Sequence, residues 1–223
     1  MVTGNVLNYG VFQNCSMIED ITLSGNPTTI PERAFKNIPK ISEISIPDSV
    51  TSIGSEAFMN CENLTSLKLG SNVTSIGANA FSRTTSAFEM SVYVDSLDQW
   101  LGIQYGGSDE SYPFSASAFN RCQAQDPDSS NYLYVKNGTT NAYELVEDIT
   151  VTDSVPPGAF CGCRHVKSVE FVLQSSTPTG IDIGNYAFYK CDALKGGSAD
   201  EGPGGNRILW LPGNNFNIGY AAF

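Results

Sequence analysis

Positive charge is scarce in this sequence, and so are histidine, tryptophan and long apolar runs. Lys and Arg number 12 against 23 Asp and Glu, a formal net charge of −11. Neutralising nucleic-acid phosphates needs a surplus of cations, so DNA and RNA are excluded as partners. Docking on an anionic membrane is disfavoured for the same reason. No apolar stretch approaches the ~18 residues of a membrane span, which excludes membrane insertion. Met1 to Asn5 hold neither a basic nor an apolar leader segment, so the chain reads as cytosolic or trimmed. The single histidine, His165, is all that a Ser/His/Asp triad could use, and no Gly-x-Ser-x-Gly elbow accompanies it. Neither a phosphate-binding glycine loop nor a dinucleotide fingerprint is present. No catalytic residue and no cofactor is therefore assigned.

What is abundant is Gly, Ser, Thr and Asn, with 41 % hydrophobic and only 16 % charged residues. That mixture favours turns and short strands over long helices. Within it runs a period. Phe12, Phe35, Phe58 and Phe81 are each 23 residues apart. Leu7, Ile30, Ile53 and Ile76 keep the same step, as do Leu23, Ile46, Leu69 and Val92, and Ile21, Ile44, Leu67 and Met90. Several ladders in one register mark a repeat architecture. The period breaks after Val94 and returns in Ala159-Phe160, Ala187-Phe188 and Ala222-Phe223, with Ile183-Gly184 and Ile218-Gly219 five residues before their Phe. The wider spacings there, 28 and 35, read as the 23-residue unit carrying insertions. The second insertion holds Gly202-Pro203-Gly204-Gly205, which is loop chemistry.

Each unit can be read physically. Leu67-Lys68-Leu69 alternates apolar and polar residues, the period-2 sign of a half-buried strand. A second short strand is expected over Val73 to Ile76, and the Gly after each Ile allows a tight turn or positive φ. Ala-Phe-x-x-Cys suits one helical turn with its Phe inward. A single unit buries too few side chains to offset the ordering of its own backbone, so neighbours must stack on it. Segments 21–23, 44–46, 67–69, 90–92, 149–151, 169–171 and 209–211 are expected as strands of one parallel sheet. Phe12, Phe35, Phe58, Phe81, Phe160 and Phe188 are expected in one buried column.

The stretch IPDSVTSIGSEAFMNCENLTSLKLGSNVTSIGANAF, Ile46 to Phe81, together with the three later Ala-Phe units, resembles the BspA-like, or Treponema pallidum-type, leucine-rich repeats. VYVDSLDQWLGI (Val92 to Ile103), followed by LYVKNG (Leu133 to Gly138), looks like the linker that separates repeat blocks in that family. The resemblance covers most of the chain and thins between Gly106 and Tyr132. It implies an α/β leucine-rich-repeat fold, a right-handed solenoid of about seven rungs. Its parallel β-sheet is concave, with second short strands and single helical turns on the convex side. It also implies a bacterial surface or secreted protein associated with adhesion and binding. Three stretches of one continuous solenoid are expected: a first block over 1–94, an inserted linker with a hairpin over 95–143, and a second block over 144–223. Val151 to Phe160 departs from the pattern by being about three residues short.

The six cysteines invite a chemical reading. Cys15, Cys61, Cys163 and Cys191 each follow a ladder Phe by three residues, and Cys122 follows Phe119 likewise. They are expected as free thiols filling space beside the Phe. Cys161, Cys163 and His165 offer at most three ligands at spacings unlike a zinc site, so no metal is assigned. The sequons at Asn14, Asn63, Asn72 and Asn137 are read as coincidental in a chain so rich in Asn and Thr.

The binding surface is sought on the outward face of the strands. With Leu67 and Leu69 inward, Ser66 and Lys68 face out. The same register exposes Asp20, Thr22, Glu43, Ser45, Glu89, Ser91, Tyr93, Asp148, Thr150, Ser168, Glu170, Ile208 and Trp210. Large aromatic or aliphatic groups there, Tyr93, Ile208 and Trp210, either bind a ligand or are covered by a loop. The expected function is a non-catalytic extracellular or cell-surface module that recognises protein or glycan. The competing expectation is a structural spacer that displays other domains. Both ends fall within a unit, so a section of a longer array with end-to-end self-association is also expected.

Overall fold

A computed structural model describes residues 2–3, 7–83, 89–106, 131–172, 181–189, 191–194, 216–219 and 222–223. The elements begin β1 (Val2–Thr3), β2 (Leu23–Ser24), β3 (Thr29–Ile30), β4 (Glu43–Ser45), β5 (Ser52–Ile53), β6 (Ser66–Lys68) and β7 (Ser75–Ile76). They continue with β8 (Met90–Val94), α1 (Leu97–Gly102), β9 (Gln104–Tyr105), β10 (Asn131–Lys136), β11 (Tyr143–Leu145) and β12 (Asp148–Val151). β13 (Ser168–Phe171), β14 (Ile181–Ile183) and β15 (Phe216–Ile218) complete them. The regular units contribute a first and a second strand, and β4 pairs with β6 and β5 with β7 in parallel.

The first strands do not form one sheet. β4, β6, β8 and β10 run parallel in that order, and β11 closes the sheet antiparallel to β10. β12 and β13 pair separately, and β2 pairs with β1. The single parallel sheet expected from the repeat is thus corrected. β10 takes the place beside β8 that 149–151 was expected to fill, and the hairpin to β11 turns the chain back along the outer edge of β10. The expected strand at 209–211 lies outside the described residues.

One register also shifts. Leu67 stands opposite Val92, not Met90, because the segment after Phe81 is two residues longer than the one after Phe58. A slip of two keeps every side chain on its face. Ser91, rather than Glu89, therefore sits beside Ser66.

The core holds two phenylalanine stacks and not the one column expected, because the inserted stretch separates Phe81 from Phe160. Phe12, Phe35, Phe58 and Phe81 stack at centroid separations of 5.6, 5.2 and 5.3 Å. Phe160, Phe188 and Phe223 stack at 5.1 and 5.3 Å. Phe35, Phe58, Phe81, Phe160 and Phe188 are buried, whereas Phe12 is only half-buried, with a stacked ring on one face among the described residues. Trp100 on α1 joins this core. Its Nε1–H donates to the Ala159 carbonyl at 3.1 Å, the equivalent of the carbonyls on Ala57 and Ala80 that accept backbone N–H groups from Phe35 and Phe58.

The Ala-Phe segments are not helical turns. Ala34 and Lys36 donate to the carbonyls three residues back, while Arg33, Phe35 and Asn37 donate to the next unit at 3.0, 2.8 and 2.8 Å. This alternation needs a left-handed residue on each side of the Phe. Gly10, Arg33, Glu56, Asn79, Gly158 and Tyr186 lie two residues before it, and Asn14, Asn37, Asn60 and Gly162 two residues after, all with φ between 56° and 72°. A helix would have kept the hydrogen bonds within one unit, whereas these turns cross-link the stack.

Gly54 and Gly77 follow the second strands, but without positive φ. A Cβ on Gly77 would meet Ser55 N of the preceding unit at 2.5 Å, so close approach of backbones is what excludes a side chain.

Candidate functional site

The alternating pattern puts two rows of side chains on the outer face of the five-stranded sheet. One row runs Glu43, Ser66, Ser91, Tyr132, and the next runs Ser45, Lys68, Tyr93, Tyr134. Six of the expected face residues, Glu43, Ser45, Ser66, Lys68, Ser91 and Tyr93, are thereby brought together. Glu89 is exposed just before β8. Ser168 and Glu170 are exposed on β13 in the separate sheet, where the Ser168 hydroxyl donates to Asp148 Oδ1 at 2.6 Å. Ile208 and Trp210 lie outside the described residues.

The aromatic end of this face does not follow from the repeat pattern. Tyr93 and Tyr134 stack at 4.7 Å with planes 12° apart. Tyr143, from β11, sets its ring edge-on to Tyr93 at 5.3 Å. The Lys68 ammonium lies 5.5 Å from the Tyr143 ring centroid, a cation–π contact. Burial and the neighbouring tyrosines Tyr93 and Tyr132 push the Tyr134 phenol above its ordinary value. Tyr132 in turn stacks on His165 at 4.6 Å. The signal that could have found these residues is the alternation Tyr132-Leu133-Tyr134-Val135, which marks a strand inside the expected linker.

Between this aromatic wall and the first unit lies a groove of about 610 Å3. Ile21, Leu23 and Pro47 give it an apolar side, Glu43 and Lys68 one charge of each sign, and Ser45 and Ser66 hydroxyls. Among the described residues, no histidine or cysteine lines it. The arrangement can grip a ligand by hydrogen bonds, ring contacts and two opposite charges.

The cysteines sit elsewhere. Cys61, Cys163 and Cys191 are buried and Cys15 half-buried, all as free thiols; Cys161 is also buried, and Cys122 lies outside the described residues. Cys61 Sγ contacts the Phe35 carbonyl at 3.2 Å and Cys191 Sγ the Phe160 carbonyl at 3.1 Å, so each thiol donates into the preceding unit. Burial pushes the Cys61 thiol up to about 12. Such thiols are inert space-fillers at neutral pH. Among the described residues, no group of three or more His, Cys, Asp or Glu side chains is arranged to hold a metal ion. Among the same residues, no helix is long and apolar enough to cross a membrane.

Six copies of the BspA type leucine rich repeat region match residues 4–98 and 130–197. The chain belongs to this family. A BspA-type repeat is thus the source of the paired strands, the phenylalanine column and the cross-linking turns. The last described unit lies beyond the matched residues, yet Ile183 still pairs with Ile218 and Phe188 still stacks on Phe223. Among solved structures, the chain is similar to the crystal structure of a leucine rich cell surface protein from Faecalibacterium prausnitzii A2-165. The two are 17 % identical, with 81 % of this chain and 73 % of that chain covered and a TM-score of 0.22. No curated protein matches the chain.

Proposed function

We propose that this BspA-type chain is a non-catalytic binding or adhesion module of a bacterial surface or secreted protein. Its units stack as a right-handed solenoid, and the outer face of the five-stranded sheet is the concave recognition surface for a protein or glycan. The observation that carries this reading is the groove beside Tyr143. It combines apolar, aromatic, hydroxyl and oppositely charged groups on one face, the mixture that recognition surfaces use. A net charge of −11 speaks against nucleic acid or an anionic bilayer as the ligand.

The spacer reading has one observation in its favour. Tyr93, the aromatic that strand alternation places on the open face, packs against Tyr134 and Tyr143 of its own chain. The two readings separate on glycan and peptide arrays probed with the purified chain and with Lys68→Glu and Tyr143→Ala. Retention of particular array features, weakened about tenfold or more in either variant, supports recognition. An array without retained features leaves the spacer.

A further inference from the structure

The first two complete units are joined in an uneven way. Their second strands pair, with Thr29 opposite Ser52 and Ile30 opposite Ile53. Their turns are linked by Phe35 N–H donating to the Ala57 carbonyl at 2.8 Å, and Ser49 Oγ–H reaches the Pro27 carbonyl at 2.8 Å. On the first-strand side the equivalent links are missing. Among the described residues, no backbone hydrogen bond joins residues 20–22 to residues 43–45, although those are the positions one unit apart. The Lys40–Glu19 ion pair, at 2.8 Å, spans the two units there.

The direction of the β4 backbone follows from its other neighbour. Ile46 N–H donates to the Lys68 carbonyl at 2.8 Å, and Ser66 N–H donates to the Ser42 carbonyl at 3.1 Å. Even-numbered residues of this strand thus aim their peptide groups at β6. Glu43 and Ser45 aim theirs the opposite way, into the groove lined by Ile21, Thr22 and Leu23. β4 is an edge strand, and an open edge is a template for pairing with another strand.

We propose, building on the recognition surface above, that the groove binds an extended peptide, which adds as a strand to the free edge of β4. Main-chain groups of the peptide satisfy the N–H and C=O of Glu43 and Ser45. Its side chains alternate between the apolar wall of Ile21, Leu23 and Pro47 and the outer face beside Glu43. Charge sets the outer preference. Glu43 is exposed and makes no ion pair among the described residues, while Lys68 is held over Tyr143. The complementary partner is a peptide with apolar and basic residues in alternation.

The probe is a synthetic heptapeptide alternating valine and lysine, titrated against the whole chain. Two analogues are N-methylated at every valine amide or at every lysine amide, which blocks the donors along one edge or the other. The parent peptide should bind and slow hydrogen exchange at the Glu43 and Ser45 amides. One analogue should bind about tenfold or more weakly while the other stays close to the parent, because a docked strand presents one edge to β4. Ser45→Pro removes an edge donor without touching the bonds to β6, and should weaken the parent peptide similarly. If Ser45→Pro does not fold, the two methylated analogues still decide. Equal binding of both analogues and the parent overturns strand addition, as does failure of the parent peptide to bind. Retention of a neutral oligosaccharide instead, lost in Tyr143→Ala, would overturn the peptide assignment and leave the recognition surface standing.

Discussion

The units around Phe12 to Phe81 and those around Phe160 to Phe223 solve the same packing problem with different regularity. The first set keeps one 23-residue spacing; the second takes 28 and then 35 residues between column rings. The rings nonetheless stack at nearly the same separation in both, 5.2 to 5.6 Å against 5.1 to 5.3 Å. The segment from second strand to Phe keeps its length: Ile183 and Ile218 stand five residues before Phe188 and Phe223, as Ile53 does before Phe58. The position two residues after the Phe differs more. Asn14, Asn37 and Asn60 form an amide ladder, Asn37 Nδ2 donating to Asn14 Oδ1 at 2.7 Å and Asn60 Nδ2 to Asn37 Oδ1 at 2.9 Å. The second set places Gly162 there, next to Asn131, whose Nδ2 donates to the Cys161 carbonyl at 2.7 Å. The column is therefore the shared requirement, and the left-handed turn can be held either by side-chain amides or by glycine.

The sharpest way to break this comparison is to empty the column on both sides. Phe58→Ala and Phe160→Ala should each cost about 3–5 kcal/mol in denaturant unfolding. A loss under about 1 kcal/mol at Phe160 would show that the irregular units do not depend on the column as the regular ones do. Next in size are the glycines where backbones touch. Gly77→Ala and Gly219→Ala should each cost about 1–3 kcal/mol, because the added Cβ would lie 2.5 Å from backbone nitrogens of Ser55 and Asn185. Gly102→Ala, with open space around it, is the matched control and should be neutral or slightly stabilising.

The amide ladder provides a smaller test. Asn37→Ala removes both of its ladder bonds and leaves a non-glycine residue at φ 59°, for an expected cost of about 1–2 kcal/mol. Asn37→Gly should recover the backbone part of that loss, as Gly162 does in the second set; equal losses for Ala and Gly would place the whole effect in the side chain. The smallest expected effect is electrostatic. Hydrogen bonds from Arg33 and then Lys36 hold the Glu56 carboxyl down at about 2, against an ordinary 4.5. A depressed folded-state value means stability present above pH 4.5 and lost as pH falls toward 2. The group is near the surface, so screening limits this to about 1 kcal/mol or less. Denaturation midpoints of Glu56→Gln should vary less across that window than those of the original chain, and identical slopes would remove the carboxylate from the account.

Much of this molecule is legible in its sequence. The ladders of Phe, Ile and Leu determine a stack of paired short strands around an aromatic column, because each repeats at the spacing of one unit and burial rewards nothing else so consistently. Facing residues Glu43 to Tyr93 follow from strand alternation alone. Local pattern does not distinguish a helical turn from the turns that cross-link the units, since both bring Phe and the following Cys to one side. Only cross-unit hydrogen bonds, such as Phe35 N–H to the Ala57 carbonyl, decide between them. The division of the first strands into separate sheets, the tyrosine cluster under Lys68 and the open edge at Glu43 and Ser45 were also decided by tertiary structure. Ile21 and Ile44 occupy equivalent places in their units, and nothing in either residue says that one pairs with its neighbour and the other does not. Strand pairing depends on how two distant segments meet, and β4 meets β6 but leaves residues 20–22 across a groove.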